Sequence, residues 1–225
     1  MPPPPSTKRA HLRQLVEEKN RWSGRQLTDE ERALGFLGWH ERGYLPHCDF
    51  PNLIQFVTFR LEDSMPVARR GEWEHMLKID DVRDRRTKLE EYLDRGIGEC
   101  HLRDARIAKL VEDTLLHFHK DRYELLGWCV MPNHVHVLVE IWQTPLAELV
   151  HTWKRFIARE ANKALGRTEP FWEREYWDTK MRDEAQLHRA RRYIQNNPTK
   201  AKLVLDPADW PWSSATGQSM EGNPK

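Results

Sequence analysis

The chain has 225 residues, 36 Lys and Arg against 35 Asp and Glu, 39% hydrophobic residues and a mean hydropathy of −0.82. That composition suits one domain with a modest core, or one domain plus an appendage, under a heavily charged surface, and the net charge of +1 neither demands nor excludes nucleic acid. Cys48, Cys100 and Cys129 are an odd number with no CxxC spacing, which argues against a disulfide framework or a thiolate zinc site. No apolar run could span a bilayer and MPPPPSTKRA lacks a signal-peptide core, so a soluble protein of the cytoplasm, with no membrane partner, is expected.

In chain order, residues 1–8 are proline-rich and predict an extended or disordered segment, and residues 9–21 predict a short charged helix. Thr28-Asp29-Glu30-Glu31 is a capping box that predicts a helix running to about Gly38, with Trp22, Phe36, Leu37 and Trp39 available to dock this arm. LIQFVTFRL, residues 53–61, predicts the first strand, and residues 67–95, dense in charge, predict one or two solvated helices. Ile107, Leu110, Val111, Thr114, Leu115 and Phe118 form the apolar stripe of a helix over 103–119 that ends with His117 and His119 at the surface. A strand over 123–130, with Gly127 as a possible bulge, is joined by a Pro-Asn turn to a second strand carrying His134 and His136.

Pro145 then opens a long amphipathic helix ending at Gly166, and FWEREYWD, residues 171–178, reads as a further strand or extended segment. Asp183 to Asn197 predicts the last helix, stopped by Pro198. DWPWSS, residues 209–214, offers Trp210 and Trp212 as anchors for the tail, and residues 217–225 read as loose. The order β, α, α, β, β, α, β, α predicts an α+β fold, a central antiparallel sheet flanked by helices.

Chemistry concentrates at two places. Side chains alternate along a strand, so His134 and His136 share one face while Val135, Val137 and Val139 take the other. Two imidazoles fixed in this way can ligate a divalent cation, but two ordinary polar-face residues make the same pattern, and a metal reading needs a third donor. Tyr193 and Asn197 are four apart and lie on one face of the last helix. If that face looks at the histidines, Asn197 completes a mixed N/O site suited to Mg²⁺ or Mn²⁺ on a phosphate, and Tyr193 becomes an in-line nucleophile. The competing reading is a surface tyrosine followed by a helix stop.

Residues 150–202 hold 13 Lys and Arg against 7 Asp and Glu, including Lys154, Arg155, Arg159, Arg182, Arg189, Arg191 and Arg192, with Trp153, Phe156, Trp172, Tyr176 and Trp177 among them. Cations beside aromatics suit a polyanion with unpaired bases, and a solvated charged face over a core gives the same composition. The expectation is that these cations lie on the two helices nearest the proposed site.

MPNHVHVLV, TWKRF (152–156), FWEREYWDTKMRDE (171–184), YIQNNPTKAKLV (193–204) and DWPWSS (209–214), in this order, resemble the REP-associated tyrosine transposases, members of the single-tyrosine HUH transposases with their IS200-like domain. The resemblance runs from about residue 44 to 215. It implies a ferredoxin-like domain over 45–215, preceded by an arm over 1–44 and followed by a tail over 216–225. It also implies a divalent cation, Mg²⁺ or Mn²⁺, on His134, His136 and Asn197, with Tyr193 as the nucleophile. The substrate it implies is single-stranded DNA with an imperfect palindromic hairpin and a guide tetranucleotide at its foot. Cleavage would leave a 5′-phosphotyrosine and a free 3′ hydroxyl, the enzyme working as a monomer at the nucleoid. The family's NPVKAGLV stands here as NPTKAKLV, with Thr199 and Lys202, which touches the segment after the nucleophile. Two other readings stay open: a domesticated hairpin-binding protein that no longer cuts, and a small-molecule metallohydrolase.

Overall fold

The computed structural model describes residues 25–41, 46–79 and 81–216. The segments expected over 1–8, 9–21 and 217–225, and Trp22, lie outside the described residues. The elements are α1 (Asp29–Ala33), β1 (Gly38–Glu41), β2 (Pro46–Asp49), β3 (Ile54–Arg60), α2 (Arg70–Leu77), α3 (Val82–Asp94), α4 (Ala105–Leu116), β4 (Tyr123–Val130), β5 (His134–Ile141), α5 (Leu146–Leu165), β6 (Trp177–Lys180) and α6 (Glu184–Lys200). Short 3₁₀ turns connect several of them.

β3, β4, β5 and β6 form one sheet in the order β4-β5-β3-β6, and every neighbouring pair is antiparallel. With α4 joining β3 to β4 and α5 joining β5 to β6, this is the β-α-β-β-α-β ferredoxin-like arrangement, α2 and α3 being inserted after β3. The α+β sandwich read from the order of elements is therefore the observed fold. The alternation along the strands divides the core in two. Val57, Phe59, Val135, Val137 and Val139 pack with α4 and α5, through Ile107, Val111, Leu115, Leu149, Trp153 and Ile157. Phe56, Cys129, Met131 and Leu138, on the other face, pack with Ile194 of α6.

Polar groups in the larger core are bonded in series. The Trp153 indole donates to the Tyr123 hydroxyl at 3.0 Å, which donates to the Leu115 carbonyl at 2.7 Å, tying α5, β4 and α4 together. Gly127 does sit at a register shift: Leu125 faces Val139 and Gly127 faces Leu138, leaving Leu126 as the extra residue. The tail docks on β4, since the Trp210 indole donates to the Val130 carbonyl at 3.0 Å and the Trp212 carbonyl accepts from Val130 N at 2.8 Å.

Several local expectations are corrected. The capping box at Thr28 forms with both of its hydrogen bonds, but α1 ends at Ala33 and Gly35 turns the chain at φ +92°. The chain goes on into a β1–β2 hairpin that periodicity did not flag, its strands being only four residues each. Phe36 is buried in the main core and β1 pairs with β2, so a boundary at residue 44 cuts this hairpin. His119 is buried, its Nδ1 accepting from Leu125 N at 3.0 Å. Of the strand or extended segment expected over 171–178, the strand itself is Trp177–Lys180, and the residues before it make only an isolated bridge, Trp172 to Leu61. Pro198 does not stop α6, which continues to Lys200. Its missing N–H removes one bond, while Ala201 N still reaches the Asn197 carbonyl at 2.9 Å and Leu203 N the Pro198 carbonyl at 2.9 Å.

The hairpin is fastened to β6 by a buried ion pair. His47 Nδ1 bonds the Asp178 carboxylate, whose other oxygen accepts from Cys48 N at 3.1 Å and Gln55 Nε2 at 3.1 Å. Burial disfavours the imidazolium, but hydrogen bonds to Asp178 and Glu175 outweigh it and push the His47 pKa up to about 9. A raised folded-state value means stabilisation that is complete below the unfolded pKa of 6.5 and is lost as pH rises through about 9. Denaturant unfolding is thus expected to show a loss on the order of 2–3 kcal/mol between pH 7 and 10. His47→Gln should flatten that slope; an unchanged slope in the variant would remove His47 from the account.

Candidate active site

β5 faces β3 residue for residue at this end of the sheet, His134 opposite Arg60 and His136 opposite Thr58. Both histidines are buried and turn their Nε2 atoms toward each other at 3.1 Å. His134 Nδ1 lies 2.8 Å from Asn133 Oδ1, and His136 Nδ1 lies 2.8 Å from Thr58 Oγ1. Burial, aided by the Lys200 cation, pushes the His134 pKa down to about 3, so this imidazole is neutral at physiological pH. Arg60 does not contest the site: its guanidinium is bonded to Glu173 at 2.9 Å and Ser64 at 2.9 Å.

α6 lies across this face. Tyr193 meets His136 edge-on, ring centroids 5.5 Å apart, and Phe56 at 6.0 Å. Asn197 is fully buried and its Nδ2 donates to the Tyr193 hydroxyl at 3.1 Å. Sequence spacing put Tyr193 with Asn197 and His134 with His136; the fold brings the two pairs together.

These residues fit a cation. Adjacent donors about 2.1 Å from an octahedral ion stand about 3.0 Å apart, so the 3.1 Å between the two Nε2 atoms needs little adjustment. Asn197 Oδ1 is buried and makes no hydrogen bond, which leaves a third donor available. Among the described residues no cluster of three His, Cys, Asp or Glu side chains could hold a metal ion, so a third protein donor has to be of another kind, as an amide oxygen is.

The helix that runs past Pro198 adds two residues that sequence reading missed. Lys200 lies seven residues after Tyr193, two turns on along the same face, and its Nζ stands 5.4 Å from the Tyr193 ring centroid. Asp94, at the end of α3, pairs with that ammonium at 3.0 Å. Burial pushes the Asp94 carboxyl up, against the pull of Lys200 and Asn197 beside it. Lys200 was legible from helical spacing once Pro198 is allowed inside the helix; Asp94, about a hundred residues away in a charged helix, carried no signal.

A cavity of about 240 Å³ opens beside the tyrosine, lined by Arg189, Arg192, Tyr193, Asn196 and Lys200. The remaining cations do not gather here. α5 packs on the opposite face of the sheet, so Lys154, Arg155 and Arg159 stand apart from Tyr193, and the expected grouping of two basic helices around one site is corrected. Lys154 donates to the Glu173 and Arg174 carbonyls at 2.6 and 2.8 Å and holds the segment before β6, while Arg159 pairs with Glu160. Arg182 is exposed just before α6 and does not line the cavity. Trp153, Trp172 and Tyr176 are core residues, and Trp177 stacks on Trp73 at 5.4 Å.

Residues 103–197 match the family described as Transposase IS200 like. This segment is similar to an IS200-like transposase domain. The matched segment contains His134, His136, Tyr193 and Asn197, whereas Thr58, Asp94 and Lys200 lie outside it. Two curated relatives align with the chain. A REP-associated tyrosine transposase of Haemophilus influenzae is 28% identical over 103 residues, 41% of this chain and 58% of the relative. One of Escherichia coli K12 is 26% identical over 109 residues, 47% of this chain and 63% of the relative. The alignments thus span less than two thirds of either relative. A solved REP-associated tyrosine transposase bound to a REP hairpin aligns over 84% of this chain and 89% of that one, at 18% identity and a TM-score of 0.43. Among the described residues, no helix is long and apolar enough to cross a membrane.

Proposed function

We propose that the chain is a divalent-metal-dependent, site-specific endonuclease and strand transferase for single-stranded DNA carrying a palindromic, REP-like hairpin. The observation that carries this reading is the meeting of Tyr193, bonded to Asn197, with the His134–His136 pair on one sheet face. The IS200-like match and the names of the two curated relatives support it.

In this reading the Tyr193 hydroxyl gives its proton to solvent as its oxygen attacks the scissile phosphorus, the P–O3′ bond breaks, and the 3′ oxygen leaves and takes up a proton from solvent. The 5′ phosphate stays on the tyrosine, and the 3′ hydroxyl can reverse the reaction or be replaced by another strand. His134 Nε2, His136 Nε2 and Asn197 Oδ1 would hold Mg²⁺ or Mn²⁺, which supplies charge neutralisation and polarisation of the phosphoryl group. Arg189, Arg192 and Lys200 line the cavity at Tyr193 and would receive flanking phosphates. Arg182, exposed just before α6, is not part of that cavity, and Lys154, Arg155 and Arg159, on or beside the opposite sheet face, take no part in holding the scissile strand. The working unit is taken as the domain over 45–215 extended back to include β1, acting as a monomer on DNA of the nucleoid.

The test uses an oligonucleotide of a palindrome flanking the gene, labelled at either end and incubated with the protein and Mn²⁺. A covalent protein band on a denaturing gel should carry the 3′ label, and the 5′-labelled fragment should be released. An adduct carrying the 5′ label would reverse the chemistry. Tight hairpin binding with no adduct would favour a binding protein that does not cut.

A further inference from the structure

The two histidines do not start from the same protonation pattern. Asn133 Nδ2 donates to the Ile97 carbonyl at 3.0 Å, which determines that Oδ1 is the end of the amide turned to His134. An amide oxygen only accepts, so His134 carries its proton on Nδ1 and a lone pair on Nε2. The 3.1 Å contact between the Nε2 atoms is then a hydrogen bond only if His136 has its proton on Nε2. In that form His136 Nδ1 is a lone pair, and Thr58 Oγ1, 2.8 Å away, must donate to it.

A cation between the rings reverses this requirement. Both Nε2 lone pairs are then needed, so His136 has to carry its proton on Nδ1, and Thr58 has to accept it. The exchange takes one proton off Nε2 and puts one on Nδ1, leaving the ring neutral. A carbonyl or carboxylate in the place of Thr58 could only accept and an ammonium could only donate; a hydroxyl does either by turning about its Cβ–Oγ bond. Thr58, Asn133 and both histidines are buried, so the partner has to be part of the protein. The β3–β5 register supplies it by setting Thr58 directly opposite His136.

We propose that Thr58 is a positioning residue, a hydroxyl rotor that lets His136 change tautomer when a divalent cation enters, while Asn133 holds His134 in the ligating tautomer throughout. This rests on the metal reading of the site. A ring bound to a cation is a stronger N–H donor than a free one, so the missing acceptor costs more in the loaded state than in the free state.

Long-range ¹H–¹⁵N correlation spectra of the metal-free protein should show His134 as the Nδ1–H tautomer and His136 as the Nε2–H tautomer. Saturating Mg²⁺ or Zn²⁺ should bring both to Nδ1–H. Thr58→Val should weaken Mn²⁺ binding, measured by titration calorimetry, by about 10-fold or more. Thr58→Ser should restore it to within about threefold, a rescue that a merely space-filling threonine would not predict. Identical tautomers in the metal-free protein, or Thr58→Val binding Mn²⁺ as tightly as wild type, would overturn the rotor. A wild type that binds no divalent cation would overturn the metal reading and the rotor with it, leaving the metal-free tautomers to stand as assigned.

Discussion

Tyr193→Phe is expected to abolish strand cleavage and the covalent DNA adduct, by at least about 10⁴-fold, while leaving hairpin affinity within a few-fold of wild type. The substitution removes one oxygen and little else. The ring keeps its edge contacts with His136 and Phe56, and the lost bond from Asn197 costs about 1 kcal/mol, which the fold should absorb. Binding should persist because flanking phosphates would be held by Arg189, Arg192 and Lys200, none of which is altered. No other described tyrosine can substitute: Tyr92, Tyr123 and Tyr176 are all buried. Cleavage and adduct yields on a labelled hairpin, with affinity measured in parallel, decide the matter. Cutting at the wild-type rate by this variant would sink the tyrosine mechanism.

Removal of the divalent cation should have an effect of similar size by a different route. Excess chelator is expected to stop cleavage without releasing the hairpin, and added Mn²⁺ should restore it. His136→Ala should reproduce the loss irreversibly, because a site of two imidazoles and one amide oxygen that loses an imidazole keeps too few donors. The variant carries a stability cost as well. His136 is fully buried, stacked on Phe56 at 5.3 Å and bonded to Thr58, so truncation leaves a cavity and an unpartnered hydroxyl, on the order of 2–3 kcal/mol. The chelator experiment is free of that cost, and the two should therefore be read together. Full activity in excess chelator would exclude a metal from the reaction.

Local periodicity explains how much of this was legible beforehand. Alternation along β5 is enough to place His134 and His136 on one face, and a spacing of four is enough to stack Tyr193 and Asn197 on α6. Both follow from backbone geometry within one element. Strand and helix bounds were likewise readable where apolar residues repeat over several turns, as in α4 and α5, and unreadable in the four-residue strands β1 and β2. Proline was given too much weight: in the last turn of α6 it costs one hydrogen bond, and burial of its ring keeps the helix intact to Lys200.

Charge was the misleading signal. The basic excess over residues 150–202 is continuous in sequence but divided by the sheet, α5 on one face and α6 on the other. A linear count cannot register that division, because the crossover from β5 to β6 carries its helix over the face away from the histidines.

The sequence by itself determined the order β, α, α, β, β, α, β, α from residue 53 onward, and the paired histidines and the paired Tyr193 and Asn197, the two pairs because each depends on a spacing of two or four residues within one element. Only the tertiary structure decided which helix covers the histidines. It also set Thr58 against His136 through strand register and carried Asp94 to Lys200 across a hundred residues of chain. Those contacts join elements whose spacing in sequence holds no period, and packing alone brings them together.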